Sequence, residues 1–319
     1  MYLVCGEALF DVFDVSPADS AANTYQFKAV AGGSPFNVAI GLRRMGCEVQ
    51  FVGGLSTDSL GTRLRQLLQA DGVGTQWLKT TPEPTTLAMV TLDSEGHPQY
   101  DFRGTGCADR SLSPADLPSS WNVQIRGVHF GSYSLVVEPI GSSLLEWARR
   151  LPQGCLVTLD PNIRLNVEPD VTVWRARIEA FASYADVIKV SDEDLQLLYP
   201  ESDPASVVRR WLSGRCSLVV VTRGAEGASA YTTAVNCNAR PFKINVRDTV
   251  GAGDTFQAAL IAYLDESAQA SSSGVASLSE TDIKAMLRFA SAASAITCSR
   301  TGPDLPYRSE VNTFLADCT

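Results

Sequence analysis

Short apolar segments alternate with helical segments along most of the chain, and this alternation restricts the fold more than any other feature. Residues 49–53 and 155–159 are strand-like, whereas residues 58–70 place leucines on one face of a helix. Parallel strands need crossover connections, which are usually helices and right-handed. The alternation therefore predicts an α/β fold, in which helices sandwich a mainly parallel central sheet. We expect residues 1–319 to form a single domain of this kind.

Two stretches interrupt the alternation and predict a second, smaller sheet. Residues 85–91 alternate loosely between apolar and polar side chains, and residues 97–103 follow a hairpin-type turn at 94–96. Together with strands from residues 12–30, they are expected to form a small β lid over the strand ends. The lid strands would then come from about 12–30 and 85–110, inserted in the single domain.

The composition excludes several classes of partner and site. A net charge of −9 argues against nucleic acid or an anionic membrane as the main partner. The eight cysteines include no C-x-x-C pair, so we expect reduced core thiols and no zinc site. Neither a signal-peptide pattern nor an apolar run of membrane-spanning length is found, so we expect a cytoplasmic protein. An acidic chain that binds phosphates must concentrate positive charge locally or obtain it from a metal ion.

The stretch 248–256 carries the most specific chemistry in the sequence. Gly251, Ala252 and Gly253 precede a run of good helix formers, so they should form a turn that opens a helix. Such a turn leaves backbone N–H groups unpaired at the positive end of the helix dipole. It is therefore a candidate phosphate site, which the chain can approach closely because glycine has no Cβ.

Asp254 follows this turn directly, and a carboxylate would repel a phosphate placed beside it. The carboxylate fits the turn if its partner is the proton of a hydroxyl group. We therefore interpret Asp254 as a base that takes a proton from an alcohol while the turn holds the phosphoryl group under attack. The alternative is an acidic first-turn residue that only complements the helix dipole.

Further polar residues follow the predicted strands near the beginning of the chain. Asp11 comes after the first strand, where its carboxylate could accept hydrogen bonds from a polyol or stay a solvated loop acid. The double glycine before Ser34 predicts a helix start, with Ser34 as N-cap. Asn37 lies in the first turns and offers a donor and an acceptor to a sugar hydroxyl, or serves as a structural amide.

The same pattern continues in later segments. Residues 160–164 follow a buried strand and place polar groups at its carboxyl end. Residues 191–194 open a helix with three acids, which suit either the helix dipole or a magnesium ion held through waters. Arg103 follows the lid hairpin and could bind substrate or phosphate, or be a surface arginine.

These pieces, in this order, resemble the ribokinase-like (PfkB-type) carbohydrate kinases over essentially the whole chain. Residues 32–46 and 248–254 carry the resemblance, since they are similar to the two signatures of that family. The resemblance implies a parallel-rich sheet between helices with a small β lid, which often serves as a dimer clasp. It also implies transfer of the ATP γ-phosphoryl group to the hydroxymethyl group of a sugar.

The resemblance also implies roles for single residues. Asp254 matches the catalytic base, and Gly251, Ala252 and Gly253 match the anion hole. The positions that match or adjoin sugar contacts are Asp11, Gly32, Gly33, Asn37, Arg103 and Arg164. The positions that match the nucleotide site are Lys189, Ser191, Thr222, Gly224, Gly227, Gly251, Gly253, Ala290, Ala293 and Ser294. Asp248 and Val250 match a loop that binds a monovalent cation such as K⁺ in many members.

One motif departs from the family pattern. The magnesium-linked motif Asn-x-x-Glu corresponds here to Ser191 and Asp194, with Glu193 adjacent. Aspartate is one methylene shorter than glutamate, so either a metal-bound water shifts or Glu193 takes the role. The need for Mg²⁺ with ATP is unchanged, and the acid that supports it is left open between Glu193 and Asp194.

Within the family, the chain is most similar to the bacterial fructokinases. Residues 6–11, residues 160–164 and residues 189–191 look like the corresponding stretches of that group. Phosphorylation of the 6-hydroxyl of D-fructose is therefore expected, in a homodimer formed through the lid. The alternatives are a 2-keto-3-deoxygluconate kinase, another sugar kinase of the family, or a catalytically silent sugar sensor.

Two other classes of nucleotide-binding protein lack their signatures here. A nicotinamide dehydrogenase needs G-x-G-x-x-G after the first strand, where this chain has Gly6-Glu7-Ala8-Leu9. A P-loop kinase needs G-x-x-x-x-G-K-[ST], which is absent from the sequence. The chain therefore has no Walker lysine to neutralise the phosphates.

Overall fold

The computed structural model describes residues 1–16, 23–92, 98–118 and 124–318. Among them, thirteen strands form two separate sheets. The strands are β1 (Tyr2–Cys5), β2 (Leu9–Asp14), β3 (Phe27–Gly32), β4 (Val49–Ser56), β5 (Leu78–Thr81), β6 (Leu87–Leu92), β7 (Pro98–Arg103), β8 (Gly127–Gly131), β9 (Leu156–Asp160), β10 (Val187–Ser191), β11 (Leu218–Thr222), β12 (Ala228–Tyr231) and β13 (Asn236–Ala239).

Ten α-helices accompany these strands in the described ranges. They are α1 (Ser34–Arg44), α2 (Ser59–Ala70), α3 (Ile140–Ala148), α4 (Val171–Ala182), α5 (Asp192–Leu198), α6 (Pro204–Leu212), α7 (Ala252–Glu266), α8 (Ser272–Ala276), α9 (Glu280–Cys298) and α10 (Arg308–Asp317). None of the helices in these ranges is both long and apolar enough to cross a membrane.

The larger sheet has the strand order β13-β12-β11-β10-β9-β8-β1-β4-β5. Seven neighbouring strands, from β11 to β5, are parallel, and β12 and β13 add an antiparallel edge. Its strands read as continuous apolar runs because helices cover both faces of the sheet. The predicted mainly parallel sheet between helices is confirmed.

Two apolar cores lie on the two faces of this sheet. One contains α1, α7 and α9, in which α7 packs against both α1 and α9, and α1 and α9 pack against the sheet. The other contains α3, α4 and α6 together with part of α5. The two cores make the molecule a three-layer α/β/α structure, so the carboxyl ends of the parallel strands open at one edge.

The smaller sheet has the order β3-β2-β6-β7 and contains strands from both stretches that the sequence assigned to a lid. Strands β6 and β7 pair in antiparallel fashion, as a hairpin requires. Strand β2 pairs with β6 in parallel, which joins the two stretches into one sheet. The predicted turn at 94–96 lies outside the described residues.

The structure corrects two local predictions. Ser34 was expected to cap α1, but Gly33 is the N-cap and Ser34 is the first helical residue. The Ser-, Ala- and Gly-rich composition of residues 267–279 predicts an exposed loop, but α8 occupies part of them with Ser271 as its cap. A serine- and glycine-rich composition hid this short helix.

All eight cysteines are free, and six of them are buried, as expected of core thiols.

Candidate active site

A cleft of about 850 Å³ opens at the carboxyl ends of the parallel strands, below the smaller sheet. Its walls come from strand β2 of the smaller sheet, the first turns of α1, α5 and α7, and the loops after β8, β9 and β11. Because the strands are parallel, the polar segments that follow them meet at one edge of the sheet. This is the edge at which open α/β sheets bind their ligands.

Asp254 lies in this cleft, and two hydrogen bonds from α1 hold its carboxylate. Ser34 Oγ donates to Oδ1 at 2.6 Å, and Asn37 Nδ2 donates to Oδ2 at 2.8 Å. All three side chains are buried. The first turns of α1 and α7 therefore converge on one carboxylate, and both helix dipoles favour negative charge there.

Ser34 is a site residue that sequence reasoning assigned only to capping. Its hydroxyl is released from capping because Gly33 takes that position with φ 102°. A Cβ atom at Gly33 would lie 2.8 Å from the carbonyl oxygen of Glu7, so only glycine fits. The signal available in the sequence was the spacing of Ser34 and Asn37, since residues three apart share a helix face.

The turn before α7 has the form of an anion site, as the glycine pattern predicted. Gly251 is the N-cap of α7 in the left-handed conformation, with φ 77°. Gly251 and Gly253 line the cleft, and Ser294 Oγ donates to the Ala252 carbonyl oxygen at 3.0 Å. The helix start thus presents the N–H groups of Gly251 and Gly253 to the cleft, whereas Ala252 N donates to the carbonyl oxygen of Thr249 at 3.2 Å.

Lys189 supplies positive charge directly beside this turn. Its ammonium lies 3.2 Å from the position that a Cβ atom on Gly253 would occupy. Lys189 Nζ also pairs with Asp160 Oδ2 at 2.7 Å, and both side chains are buried. Burial raises the pKa of Asp160 to about 6 and the ammonium opposes this, so the carboxyl is ionised at neutral pH.

The other end of the cleft carries the residues expected to contact a sugar. Asp11, Gly33, Asn37 and Arg164 all line it. Burial raises the pKa of Asp11 to about 6, and the charge of Arg164 lowers it. A Cβ atom at Gly32 would lie 2.6 Å from Asp11 Oδ2, so glycine there leaves room for this carboxylate.

Arg103, which matches or adjoins a sugar contact in the family, does not line the cleft in this structure. It is the last residue of β7, its side chain is 69% exposed, and it pairs with Asp101 at 2.5 Å. Residues two apart share one face of a strand, so the local acid is the nearest partner available. A substrate contact of Arg103 stays a prediction that requires this ion pair to open.

Some of the residues expected around the nucleotide line the cleft, and others lie outside it. Ser191, Thr222 and Gly224 line the cleft. Gly227, with φ 90°, closes the turn after β11 by accepting a hydrogen bond from Arg223 N at 2.8 Å.

Ala290 and Ala293, on α9, are expected nucleotide contacts that do not line the cleft. Both are fully buried in the core that α9 forms with α7, so they do not border open space in this arrangement. A contact of either alanine with adenine stays a prediction.

Asp248 fixes the loop that leads to the anion site. Its carboxylate accepts hydrogen bonds from Val250 N at 3.0 Å and from Gly302 N at 2.8 Å. Both carboxylate oxygens are thus used to tie two segments together, and Val250 lines the cleft. Each carboxylate oxygen keeps a further lone pair, so the Asp248 side chain and the carbonyl oxygens of the loop are both available to a cation.

The acids in the first turn of α5 also reach the cleft. Glu193 and Asp194 line it, and Asp194 Oδ1 accepts a hydrogen bond from Ile163 N at 2.9 Å. Ser191 Oγ accepts from Asp194 N and caps the helix. In the part of the chain that the structure describes, no three metal-ligating side chains cluster closely enough to bind a metal alone. Single carboxylates suit a magnesium ion bound chiefly by phosphates and waters.

Comparison with known proteins decides the family. The model of the pfkB family carbohydrate kinases matches residues 1–310. The chain belongs to this family. A fructokinase of Rhizobium leguminosarum bv. trifolii is 38% identical over 280 residues, which cover 88% of this chain and 84% of that protein.

Two solved structures have the same fold over nearly their whole length. The fructokinase of Xylella fastidiosa with bound ATP superposes with a TM-score of 0.91 at 28% identity, covering 99% of this chain and 98% of that one. The aminoimidazole riboside kinase of Salmonella enterica, complexed with aminoimidazole riboside and an ATP analogue, gives a TM-score of 0.82 at 26% identity, covering 98% and 99%. This carbohydrate kinase is thus a ribokinase-like phosphotransferase with an alcohol acceptor, whose substrates are ATP and a sugar.

Proposed function

We propose that this carbohydrate kinase transfers the γ-phosphoryl group of Mg-ATP to the 6-hydroxyl of D-fructose. The observation that carries the proposal is the position of Asp254, a buried carboxylate between the sugar end of the cleft and the glycine turn. A base and an anion site are thus adjacent, as phosphoryl transfer to an alcohol requires. The fructokinase names among its relatives favour fructose as the acceptor.

The sugar end of the cleft is proposed to bind fructose through its hydroxyl groups. Asp11 and Asn37 offer acceptors, and Asn37 and Arg164 offer donors. Asp11 accepts hydrogen bonds best when ionised, so sugar binding should weaken below about pH 6, where this carboxyl takes up a proton. Ser34 and Asn37 keep the Asp254 carboxylate facing the position of the 6-hydroxyl.

The chemical step then follows from these positions. The 6-hydroxyl oxygen forms a bond to the γ-phosphorus, and the bond from that phosphorus to the β,γ-bridging oxygen breaks, which releases ADP. The hydroxyl proton passes to Asp254. The N–H groups of Gly251 and Gly253 stabilise the charge on the transferred group, and the N–H group of Ala252 joins them once it leaves the Thr249 carbonyl oxygen. A positioned base of this kind contributes about 10²–10⁴ in rate.

Two residue groups of the cleft and its rim would hold metal ions. Glu193 and Asp194 would hold Mg²⁺ through waters, and the ion would neutralise phosphate charge when bound. The loop of Asp248 and Val250 is proposed to bind K⁺ through its carbonyl groups and so stabilise the turn before α7. On the nucleotide side, Ser191, Thr222 and Gly224 would contact ATP.

A homodimer through the smaller sheet is part of the proposal. Strand β3 is an edge strand of that sheet, and edge strands readily pair with another chain. Tyr25 and Phe27 stack at 6.1 Å and are 68% and 54% exposed. A second copy would cover these aromatic rings, and closure of the lid would keep water from the phosphoryl group.

A coupled assay of ADP release with Mg-ATP tests the substrate. The panel contains fructose, glucose, ribose, 2-keto-3-deoxygluconate, adenosine and aminoimidazole riboside, with a metal chelator as the control for the divalent ion. We expect strong turnover on fructose that the chelator abolishes. Stronger turnover on another acceptor would overturn fructose and keep the base and the anion site. ATP binding without any turnover would favour the sugar sensor.

A further inference from the structure

Four buried polar side chains meet between the larger sheet and helix α7. His129 on β8 pairs in register with Thr158 on β9, and Asp160 follows Thr158 by two residues, so all three share one face of the sheet. Gln257 of α7 lies over this face, with Nε2 3.5 Å from His129 Nδ1. None of the four residues is more than 1% exposed, so bulk solvent does not reach them.

Three of these side chains use one polar atom and leave the other unpaired. His129 Nδ1 contacts Thr158 Oγ1 at 2.9 Å. Asp160 Oδ2 accepts a hydrogen bond from Lys189 Nζ at 2.7 Å. Within the described residues, His129 Nε2, Asp160 Oδ1 and Gln257 Oε1 have no hydrogen-bond partner. Buried polar atoms in folded proteins are almost always bonded, to protein groups or to an internal water, so a small ligand is expected here.

Gly131 leaves room for such a ligand beside His129. It lies two residues further along β8 and so faces the same side of the sheet. A Cβ atom there would lie 3.2 Å from His129 Nε2 and 3.6 Å from the Asp160 Cβ. The backbone of Gly131 is extended, with φ −169°, a conformation open to any residue. The need for space, rather than for an unusual backbone conformation, therefore explains this glycine.

The unpaired atoms consist of one donor and two acceptors. Burial lowers the pKa of His129 to about 3, so its ring is neutral and carries one proton. Because Nδ1 accepts from the Thr158 hydroxyl and the Gln257 amide, that proton lies on Nε2. Asp160 Oδ1 and Gln257 Oε1 are acceptors. The reverse orientation of the amide exchanges the roles of His129 and Gln257 and again leaves one donor and two acceptors.

The nearby charges select a neutral ligand. The Asp160 carboxylate is already paired with the Lys189 ammonium. A further cation would leave an uncompensated charge in a buried site, and an anion would meet the carboxylate. A water molecule donates two hydrogen bonds and accepts at least one, which complements these three atoms.

We propose that one internal water binds His129 Nε2, Asp160 Oδ1 and Gln257 Oε1, and that Gln257 is a positioning residue that holds α7 on the sheet through this water. Gln257 follows Gly253 and Asp254 by about one turn of the same helix. A shift of α7 would therefore move the base and the anion site together. The water site stands without the proposed function, whereas its effect on turnover rests on that function.

A crystal structure of the whole chain, grown with a rubidium salt, tests the water site. We expect one isolated density peak within hydrogen-bond distance of all three atoms, with no anomalous signal from rubidium there. An anomalous signal would show a cation and overturn the proposal. Direct bonds from the three atoms to other protein groups, with no peak between them, would overturn it as well.

Gly131→Ala tests the positioning role, because its Cβ atom would take the space beside His129 Nε2. The structure of the variant should lack the water and show the first turns of α7 displaced from the sheet. With Mg-ATP and fructose, kcat should fall about three- to tenfold with little change in the KM for ATP, the scale of one lost hydrogen bond.

Gly127→Ala is the matched control on the same strand. Its Cβ atom would lie 3.0 Å from the Leu156 carbonyl oxygen, just as a Cβ atom at Gly131 would lie 3.0 Å from the Asp160 carbonyl oxygen. Both variants should therefore melt at a lower temperature than the wild type. Only Gly127→Ala should keep the water, the position of α7 and the wild-type kcat.

The possible outcomes are distinct. Equal losses of kcat in the two variants, or an unmoved α7 in a Gly131→Ala structure without the water, would overturn the positioning role. A wild type that phosphorylates no sugar would overturn the proposed function. The crystal structures would then still decide both the water site and the position of α7.

Discussion

At the scale of single residues, Ser34 offers a sharp test of how Asp254 is held. Ser34→Ala removes the donor to Asp254 Oδ1, and a hydrogen bond to a charged group is worth about 1.5–3 kcal/mol. We expect kcat to fall roughly tenfold or more, with little change in the KM for ATP, because the base loses its orientation.

Steady-state kinetics of two further variants complete this test. Ser34→Thr keeps a hydroxyl and should recover much of the rate. Ser143→Ala is the matched control, since Ser143 is a buried serine that donates to the carbonyl oxygens of Leu112 and Pro139. A Ser34→Ala enzyme with the wild-type kcat would show that Asn37 alone positions the carboxylate.

Glu7 predicts a dependence of stability on pH. Burial raises its pKa from 4.5 to about 7, against the lowering effect of hydrogen bonds from Ser134 and Ser132. The folded state therefore holds the proton more firmly than the unfolded state, so folding becomes more favourable as the pH falls through about 7. Glu7→Gln removes this effect and should raise the melting temperature most at about pH 8.

Melting curves between about pH 8 and pH 5 measure this difference. The advantage of Glu7→Gln over the wild type should narrow on acidification, because the wild-type carboxyl becomes neutral as well. Glu201→Gln, at an exposed position, should show a constant difference. An advantage that widens as the pH falls would contradict a raised pKa at Glu7.

The sequence indicated which residues belong to the candidate site, but it did not indicate which of their side chains contact one another. The glycine turn and Asp254 were predicted because their chemistry lies in one short segment. The bond from Ser34 to Asp254 spans 220 positions, so no local pattern could indicate it. The Lys189–Asp160 pair depends on the register of two strands for the same reason. The ion pair of Arg103 with Asp101 was not foreseen, and a substrate contact of Arg103 stays a prediction.

At the scale of elements, the contact between α1 and α7 sets the geometry of the base. A Cβ atom at Gly41 of α1 would lie 2.8 Å from the Ala258 Cβ of α7 and 2.6 Å from Leu305 Cδ2. Gly41→Ala should therefore push the helices apart and destabilise the fold by about 1–3 kcal/mol. Part of that cost is offset by the better helix propensity of alanine.

Denaturant titration and kinetics of Gly41→Ala test this contact. Activity should fall with stability, because Ser34 and Asp254 lie on the two helices that separate. Gly214→Ala is the control, since the nearest atom to a Cβ there is a carbonyl oxygen at 3.5 Å, an ordinary contact. Unchanged stability in Gly41→Ala would mean that the two helices adjust without moving the site.

Elements with strong periodic patterns were predicted closely, and short ones were not. Helix α9, Glu280–Cys298, is of this kind, since its periodic apolar face and its Ser279 cap are both readable in the sequence. Helix α8 was missed because five small residues carry no periodic pattern. Its stability comes from Val275, which is buried in the core.

At the scale of the whole molecule, the smaller sheet is the proposed dimer interface. Phe27→Glu places a charge on the exposed start of β3 and should convert a dimer into a monomer, since burying an unpaired charge is costly. Sedimentation velocity at micromolar concentration measures the change. Val246→Glu, at another exposed apolar side chain, should remain dimeric. A monomeric wild type would contradict assembly through this sheet.

The architecture was predictable because the alternation of strands and helices leaves few topologies open. The strand order and the parallel pairing of β2 with β6 were not, since they depend on which distant strands meet. The same holds for the cleft, whose walls come from segments spread over the whole chain. Periodicity indicated only whether each segment is a helix or a strand. The family resemblance indicated which of these segments contact the substrates.

The most direct measurement compares fructose-dependent ADP release by the wild type and by Asp254→Asn in one assay. We expect release in the wild type that requires fructose and Mg²⁺, and a loss of about 10²–10⁴ in kcat in the variant. Calorimetric titration should show unchanged ADP binding by the variant, which confirms that it folds. A variant with more than about half of the wild-type rate would contradict Asp254 as the base.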